Sequence, residues 1–142
     1  MNITYTNTVS AEDCNKLRNS AGWPQMHPDQ IKTGLKNSAF IVAAQDGELT
    51  VGMARIVSDG GYVFFIADVL VLPEYQHNGI GKAMMEKIMA YIHSNLKDGY
   101  FMLVDLMAAP GKEGFYEKFG FIKRPDDTFG CGMSQRLRKE AP

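Results

Sequence analysis

Residues 70–89 read LVLPEYQHNGIGKAMMEKIM, and the way this stretch folds decides the rest of the chain. An apolar run stops at Pro73, polar residues follow with Gly79 and Gly81 among them, and an amphipathic pattern then begins. Ile80, Met84, Ile88 and Ile92 recur at steps of four, with Met85, Met89 and Leu96 beside them, so "GIGKAMMEKIMAYIHSNLKD" reads as a helix with a wide apolar stripe. Strand, bare loop and helix in that order make a corner. Glycines at alternate positions let successive backbone N–H groups converge there, and the helix start adds the positive end of its dipole. Such a corner can hold a phosphate, or it can be a plain strand-to-helix turn.

Two familiar phosphate loops do not fit. A Walker A loop needs Ser or Thr after Gly-Lys, but Ala83 follows Gly81-Lys82, and Gln76 stands where its first glycine belongs. The dinucleotide fingerprint needs a glycine three residues after Gly81, and that position is Met84. What remains is Gln76-x-x-Gly79-x-Gly81, which can cradle a pyrophosphate mainly through backbone amides.

Outward from this corner the pattern is β-rich on one side. "AFIVAAQDGELTVGMARIVSDGGYVFFIADVLVL" holds three apolar runs separated by Asp46-Gly47 and Asp59-Gly60-Gly61. Asp-Gly between strand-like runs predicts tight hairpins, hence antiparallel strands near 38–45, 49–57 and 62–72. Before them "NITYTNT" alternates as a first strand. In "SAEDCNKLRNSAGW" Ser10 is placed as N-cap, with Ala11, Cys14, Leu17 and Ala21 at helical spacing. "HPDQIKTGLKNS" predicts a shorter helix with Pro28 near its start and Ile31 and Leu35 facing inward. Beyond the central helix, "YFMLVDLMA" reads as a buried strand and "GKEGFYEKFG" as a short helix stopped by Gly120. "FIKR" and "CGMSQRLR" read as closing strands around a turn at "PDDTFG". The fold class is therefore α/β (α+β): a mixed, mostly antiparallel central sheet flanked by helices, in one domain over residues 1–142.

Composition narrows the function. The chain has 142 residues, 45% hydrophobic and 22% charged, with a net charge of −1. That balance lacks the basic excess of a nucleic-acid binder, so no nucleic-acid partner is expected. No apolar run approaches the roughly 20 residues that span a bilayer, and no membrane partner is expected. The opening "MNITYTNTVSAEDCNKLRN" has no basic-then-apolar leader pattern. Cys14 and Cys131 stand far apart, in no metal-ligand spacing; a reduced, cytoplasmic setting and no metal are expected.

With these residues in view, "DVLVLPEYQHNGIGKAMMEKIM" resembles motif A of the GNAT superfamily of N-acyltransferases, whose signature is Gln/Arg-x-x-Gly-x-Gly/Ala after a strand ending in Val-x-Pro. "GFYEKFGF", Gly114 to Phe121, resembles the motif B helix and following strand, and the element order is similar throughout. The resemblance implies an acyl-CoA-dependent N-acetyltransferase with acetyl-CoA as co-substrate. Carried over residue by residue, it assigns the pyrophosphate loop to Gln76, His77, Asn78, Gly79, Ile80 and Gly81, with Lys82 adding charge. Val69 and Val71 would pair through their backbone with the pantetheine arm. The amide of Val69 or Leu70 would face the thioester carbonyl as an oxyanion donor. His77 fills a variable position of the motif and reads as a polar contact.

Acyl transfer to an amine needs a neutral amine, a stabilised oxyanion and a protonated leaving thiolate. No convincing nucleophilic side chain is present, so direct attack in a ternary complex fits. Tyr116 holds the motif position whose phenol protonates the CoA sulfur in relatives, and a phenol near its ordinary value of about 10 is a proton donor at neutral pH. Phe115 beside it lines the groove on this reading. Asp68 is the only acid inside the apolar run "YVFFIADVLVL", and a carboxylate there needs a cavity or a partner. It takes the amine's proton, binds the substrate's ammonium, or makes a structural hydrogen bond at a strand bulge. Glu74 reads as a solvated turn residue and Asp105 as a weaker candidate. Where many relatives carry an asparagine after the fifth strand, this chain has Ala108 and Ala109. The acceptor side is expected from Trp23, Met26 and His27 early, and from Arg124, Asp126, Asp127, Phe129, Cys131 and Met133 late. A small-molecule primary amine is the expected acceptor, with a protein amino group or a silent CoA-binding module as alternatives. The superfamily likeness also implies a homodimer.

Overall fold

The structure, a computed structural model, describes residues 1–141. Its elements are β1 (Ile3–Thr6), α1 (Ala11–Ser20), α2 (Pro28–Lys36), β2 (Phe40–Asp46), β3 (Leu49–Ser58), β4 (Val63–Val71), a 3-10 turn (Pro73–Tyr75), α3 (Ile80–Ser94), β5 (Leu103–Leu106) and α4 (Glu113–Glu117). The five strands form one sheet in the order β1-β2-β3-β4-β5. The first three pairings are antiparallel and β4–β5 is parallel. The chain falls into two compact units, Met1–Met107 and the residues from Ala108 on.

Both Asp-Gly turns form where expected. Gly47 has φ +63 and Asp46 pairs across to Leu49, while Gly60 has φ +85 in a loop pinned by Gly61 N–H donating to Asp59 Oδ1 at 2.8 Å. Ser10 caps α1, its hydroxyl accepting from the Asp13 N–H at 3.0 Å. His27 Nδ1 does the same for α2, accepting from the Asp29 N–H at 3.1 Å.

The core lies between the sheet and α3. Ile80, Met84, Met85, Ile88 and Ile92 of α3 are buried, as are Val42, Ala44, Val51, Ile56 and Ile66 of the strands, and α3 packs on β2, β3 and β4. Each of the larger side chains contributes about 1.5–3 kcal/mol by leaving water. Gly52 is buried in β3, and a Cβ there would meet the Leu70 carbonyl at 3.0 Å and the end of Met84 at 3.2 Å. A second cluster joins Cys14, Leu17 and Ile31 of the first two helices to Met53 and Leu70.

Three expectations need correction. β5 is shorter than "YFMLVDLMA" suggested and only half-buried, with Phe101 and Met107 exposed, because it is the last strand of the sheet. The central helix ends at Ser94, leaving Leu96 exposed. The closing strands "FIKR" and "CGMSQRLR" do not form. The turn between them does: Asp126 Oδ1 accepts from the Thr128 and Phe129 N–H groups at 2.8 and 2.6 Å, and Arg124 Nε donates to the Gly130 carbonyl. In the second arm the apolar residues Met133 and Leu137 are both exposed, so nothing there rewards a ladder. Both cysteines are free, Cys14 buried and Cys131 exposed.

Candidate functional site

The loop after β4 is held from within. Gln76 Nε2 donates to the Val71 carbonyl at 3.1 Å, and Asn78 Nδ2 donates to the carbonyls of Tyr75 and Gln76 at 3.1 and 3.0 Å. His77 at φ +65 and Gly79 at φ +78 turn the chain through the left-handed region into α3. The first helical hydrogen bond runs from Ala83 N–H to the Gly79 carbonyl. The preceding amides, His77 through Lys82, have no acceptor among the described residues. Ile80 drops its side chain into the core and presents only its N–H, while His77, Asn78 and Gly79 are exposed. Consecutive free N–H groups at a left-handed turn on a 15-residue helix are the donor set a pyrophosphate requires. Lys82 is exposed and lies 3.8 Å from Glu86, an i,i+4 pair that leaves its charge beside the loop.

Upstream, β4 carries a bulge. Leu70 pairs with Met53 and Ala67 with Arg55, so Asp68 and Val69 together face the single residue Ala54. Asp68 has φ +53, a conformation uncommon for a residue with a side chain. Its carboxylate accepts from Arg55 Nε at 2.7 Å on one oxygen and from Arg18 Nη1 at 3.0 Å on the other. All three side chains are at least four-fifths buried. Arg55 is held in turn by Ser38 Oγ at 3.2 Å, and Arg18 stacks on Trp23 at 5.3 Å. Sequence reasoning missed both arginines. The signal for Arg55 was there, a lone cation inside the apolar run "VGMARIV"; nothing local marks Arg18.

Beside this clamp is a cavity of about 50 Å³ lined by Cys14, Arg18, Met26, Gln30, Arg55 and Asp68, among others. Of the acceptor-side candidates, Met26 lines it, and its backbone is fixed by paired hydrogen bonds with the buried Asn15 amide. Trp23 covers the adjoining cluster, and His27 serves as the α2 cap. Burial pushes the Cys14 thiol above its ordinary value, and the Asp68 charge adds to the effect. Val69 and Val71 are half-buried and Leu70 buried; Glu74 is exposed in the 3-10 turn and Asp105 half-buried on β5.

In the second unit Tyr116 is the buried residue of α4, 8% exposed. Phe115 and Phe121 meet its ring edge-on, with centroids at 5.0 and 6.4 Å. Burial raises its phenol above the ordinary value of 10, which keeps it a proton donor through neutral pH. Ala108 and Ala109 are half-buried, and Asp127, Phe129, Cys131 and Met133 are exposed.

A family model of the acetyltransferase (GNAT) domain matches residues 36–123. The uncharacterized N-acetyltransferase ycf52 of Porphyra purpurea is 30% identical over 132 residues, covering 90% of this chain and 74% of that protein. The histone acetyltransferase TAP1 of Glycine max is 30% identical over 134 residues, 86% of this chain and 56% of that protein. Among solved structures, a meticillin-resistant Staphylococcus aureus protein described as "Probable Acetyltransferase" has a TM-score of 0.83 and 32% identity, over 94% of this chain and all of that one.

Proposed function

This chain belongs to the GNAT family of acetyltransferases and is an acyl-CoA-dependent N-acetyltransferase; we propose that it acetylates a primary amine of a small molecule, by direct attack in a ternary complex with acetyl-CoA. The observation that carries the donor half is the run of unpartnered amides from His77 to Lys82 at the start of α3. Gln76 and Asn78 hold that loop in shape, and Gly79, Ile80 and Gly81 give it backbone donors. Val69, Leu70 and Val71 supply the strand along which the pantetheine arm lies. Acetyl-CoA, when bound, supplies an acetyl group on a thioester that an amine can attack.

The remaining chemistry belongs to the chain's own side chains. Asp68 heads the small cavity, and each oxygen keeps a lone pair after its bond to an arginine, so it can accept a hydrogen bond from the acceptor's amine. The proton shed by the attacking amine passes by way of Asp68 to solvent. Tyr116 gives its own proton to the departing thiolate and is reprotonated from solvent; its place in the motif and its raised phenol support that role. A cavity of about 50 Å³ takes an amine head without bulky substituents, which supports a small acceptor. A protein amino group is the second reading, favoured by the likeness to a protein named a histone acetyltransferase. The homodimer rests on family likeness alone, and a monomeric mass in solution rejects it.

Thermal unfolding with acetyl-CoA tests the donor. At 100 times Kd the native state gains about 2.7 kcal/mol, seen as a raised melting temperature; an unchanged midpoint at millimolar acetyl-CoA refutes the reading. Thiol release over a panel of small amines and lysine peptides then separates the two acceptor classes.

A further inference from the structure

We propose that Arg18 and Arg55 are positioning residues for the transfer: through Asp68 they pin the bulge in β4 and so set the direction of the backbone amides at the acyl end of the site. The proposal rests on the reading above that β4 lines the thioester. Asp68 adopts φ +53, where a side chain is strained, and two residues crowd opposite Ala54. Such a backbone persists only when its surroundings over-determine it. Here they do, with one arginine on each carboxylate oxygen at 2.7 and 3.0 Å.

The two guanidiniums are themselves anchored on separate elements. Arg55 Nη1 donates to Ser38 Oγ and, at 3.5 Å, to the Gly34 carbonyl of α2. Arg18 Nη2 donates to the Pro24 carbonyl at 3.4 Å, and its group lies over Trp23. One carboxylate thus ties α1, α2 and β3 to a single point of β4. Arg18 holds this pose although its buried Nε has no hydrogen-bond partner among the described residues. Its orientation is set at the other end, by Asp68.

The test compares Arg18→Met, Arg55→Met, Arg18→Lys and Arg55→Lys in the full chain. An ammonium is a point charge and cannot reproduce the fork of donors, so lysine should restore the charge but only part of the function. We expect each methionine variant to bind CoA within about twofold of the parent, because the pyrophosphate loop is untouched. Its kcat should fall about tenfold or more with the acetyl-CoA KM changed less than about threefold, the signature of an interaction realised in the transition state. The lysine variants should lie between. Amide hydrogen exchange at Asp68 and Val69 should quicken in the methionine variants while exchange in α3 stays as in the parent. An unchanged kcat, or equal losses of CoA binding and kcat, overturns the proposal. If a methionine variant fails to fold, the lysine pair gives the same decision. A parent chain that does not bind CoA refutes the acetyl-CoA reading instead, and exchange at Asp68 and Val69 still decides whether the arginines pin the bulge.

Discussion

At the scale of single residues, Tyr116 and Asp68 show how differently two site candidates are legible. Tyr116 stands in a short motif, and its burial among Phe115 and Phe121 explains why its phenol stays protonated. Tyr116→Phe keeps the ring and its packing. We expect kcat to drop about 10²-fold or more, with acetyl-CoA affinity retained, measured by stopped thiol release and by calorimetry. An undiminished kcat removes Tyr116 from the proton step. Asp68 was readable as a carboxylate out of place in an apolar strand, and a bulge was one of its readings. Its partners were not readable, because Arg18 lies fifty residues upstream on another element and meets Asp68 only through the fold. Glycine is the usual answer at φ above zero, so an aspartate there gave no sequence cue to a left-handed residue.

At the scale of elements, the corner formed by β4, its loop and α3 depends on how near the helix can come to the sheet. Gly52 sets that distance: a methyl group there would press on the Leu70 carbonyl and on Met84. Gly52→Ala should destabilise the chain by about 1–3 kcal/mol, read from urea unfolding with m unchanged. A neutral result means that α3 has room to shift. Hairpins and helices here were legible because their signals are local: Asp-Gly turns, a serine cap, and apolar residues at steps of four. The closing strands were not. A strand's apolar alternation says that it could pair, while only the fold says whether a partner edge and a buried face are offered. Around Asp126 the turn chemistry was right and the arms still formed no ladder.

For the whole molecule, three raised tyrosines act in alkali together with the raised Cys14 thiol. The phenol of Tyr116 is raised by burial, that of Tyr75 by its hydrogen bond to Asp46 at 2.7 Å, and that of Tyr5 by burial with the Glu86 charge adding. Each has a folded value above its unfolded one. The stability they contribute is therefore complete below about pH 10 and is lost as pH rises through the folded values. Melting temperatures followed from pH 9 upward should fall, and Tyr116→Phe should flatten that fall; an identical slope in the variant refutes its share. The donor could be read from the chain because a pyrophosphate is met by backbone at a patterned loop. The proposed acceptor cavity could not, because its lining comes from α1, α2, β3 and β4 and is brought together only by the fold.

The two cysteines, one buried in α1 and one exposed near the chain's end, give the molecule an internal chronometer. A coloured thiol reagent should consume Cys131 at once and then wait on Cys14. That delay times how often the first helix lifts from the sheet, and with it how often Arg18 lets go of Asp68. Bound CoA should leave the fast phase alone, and any lengthening of the slow one measures how firmly a ligand laid along β4 holds this helix shut.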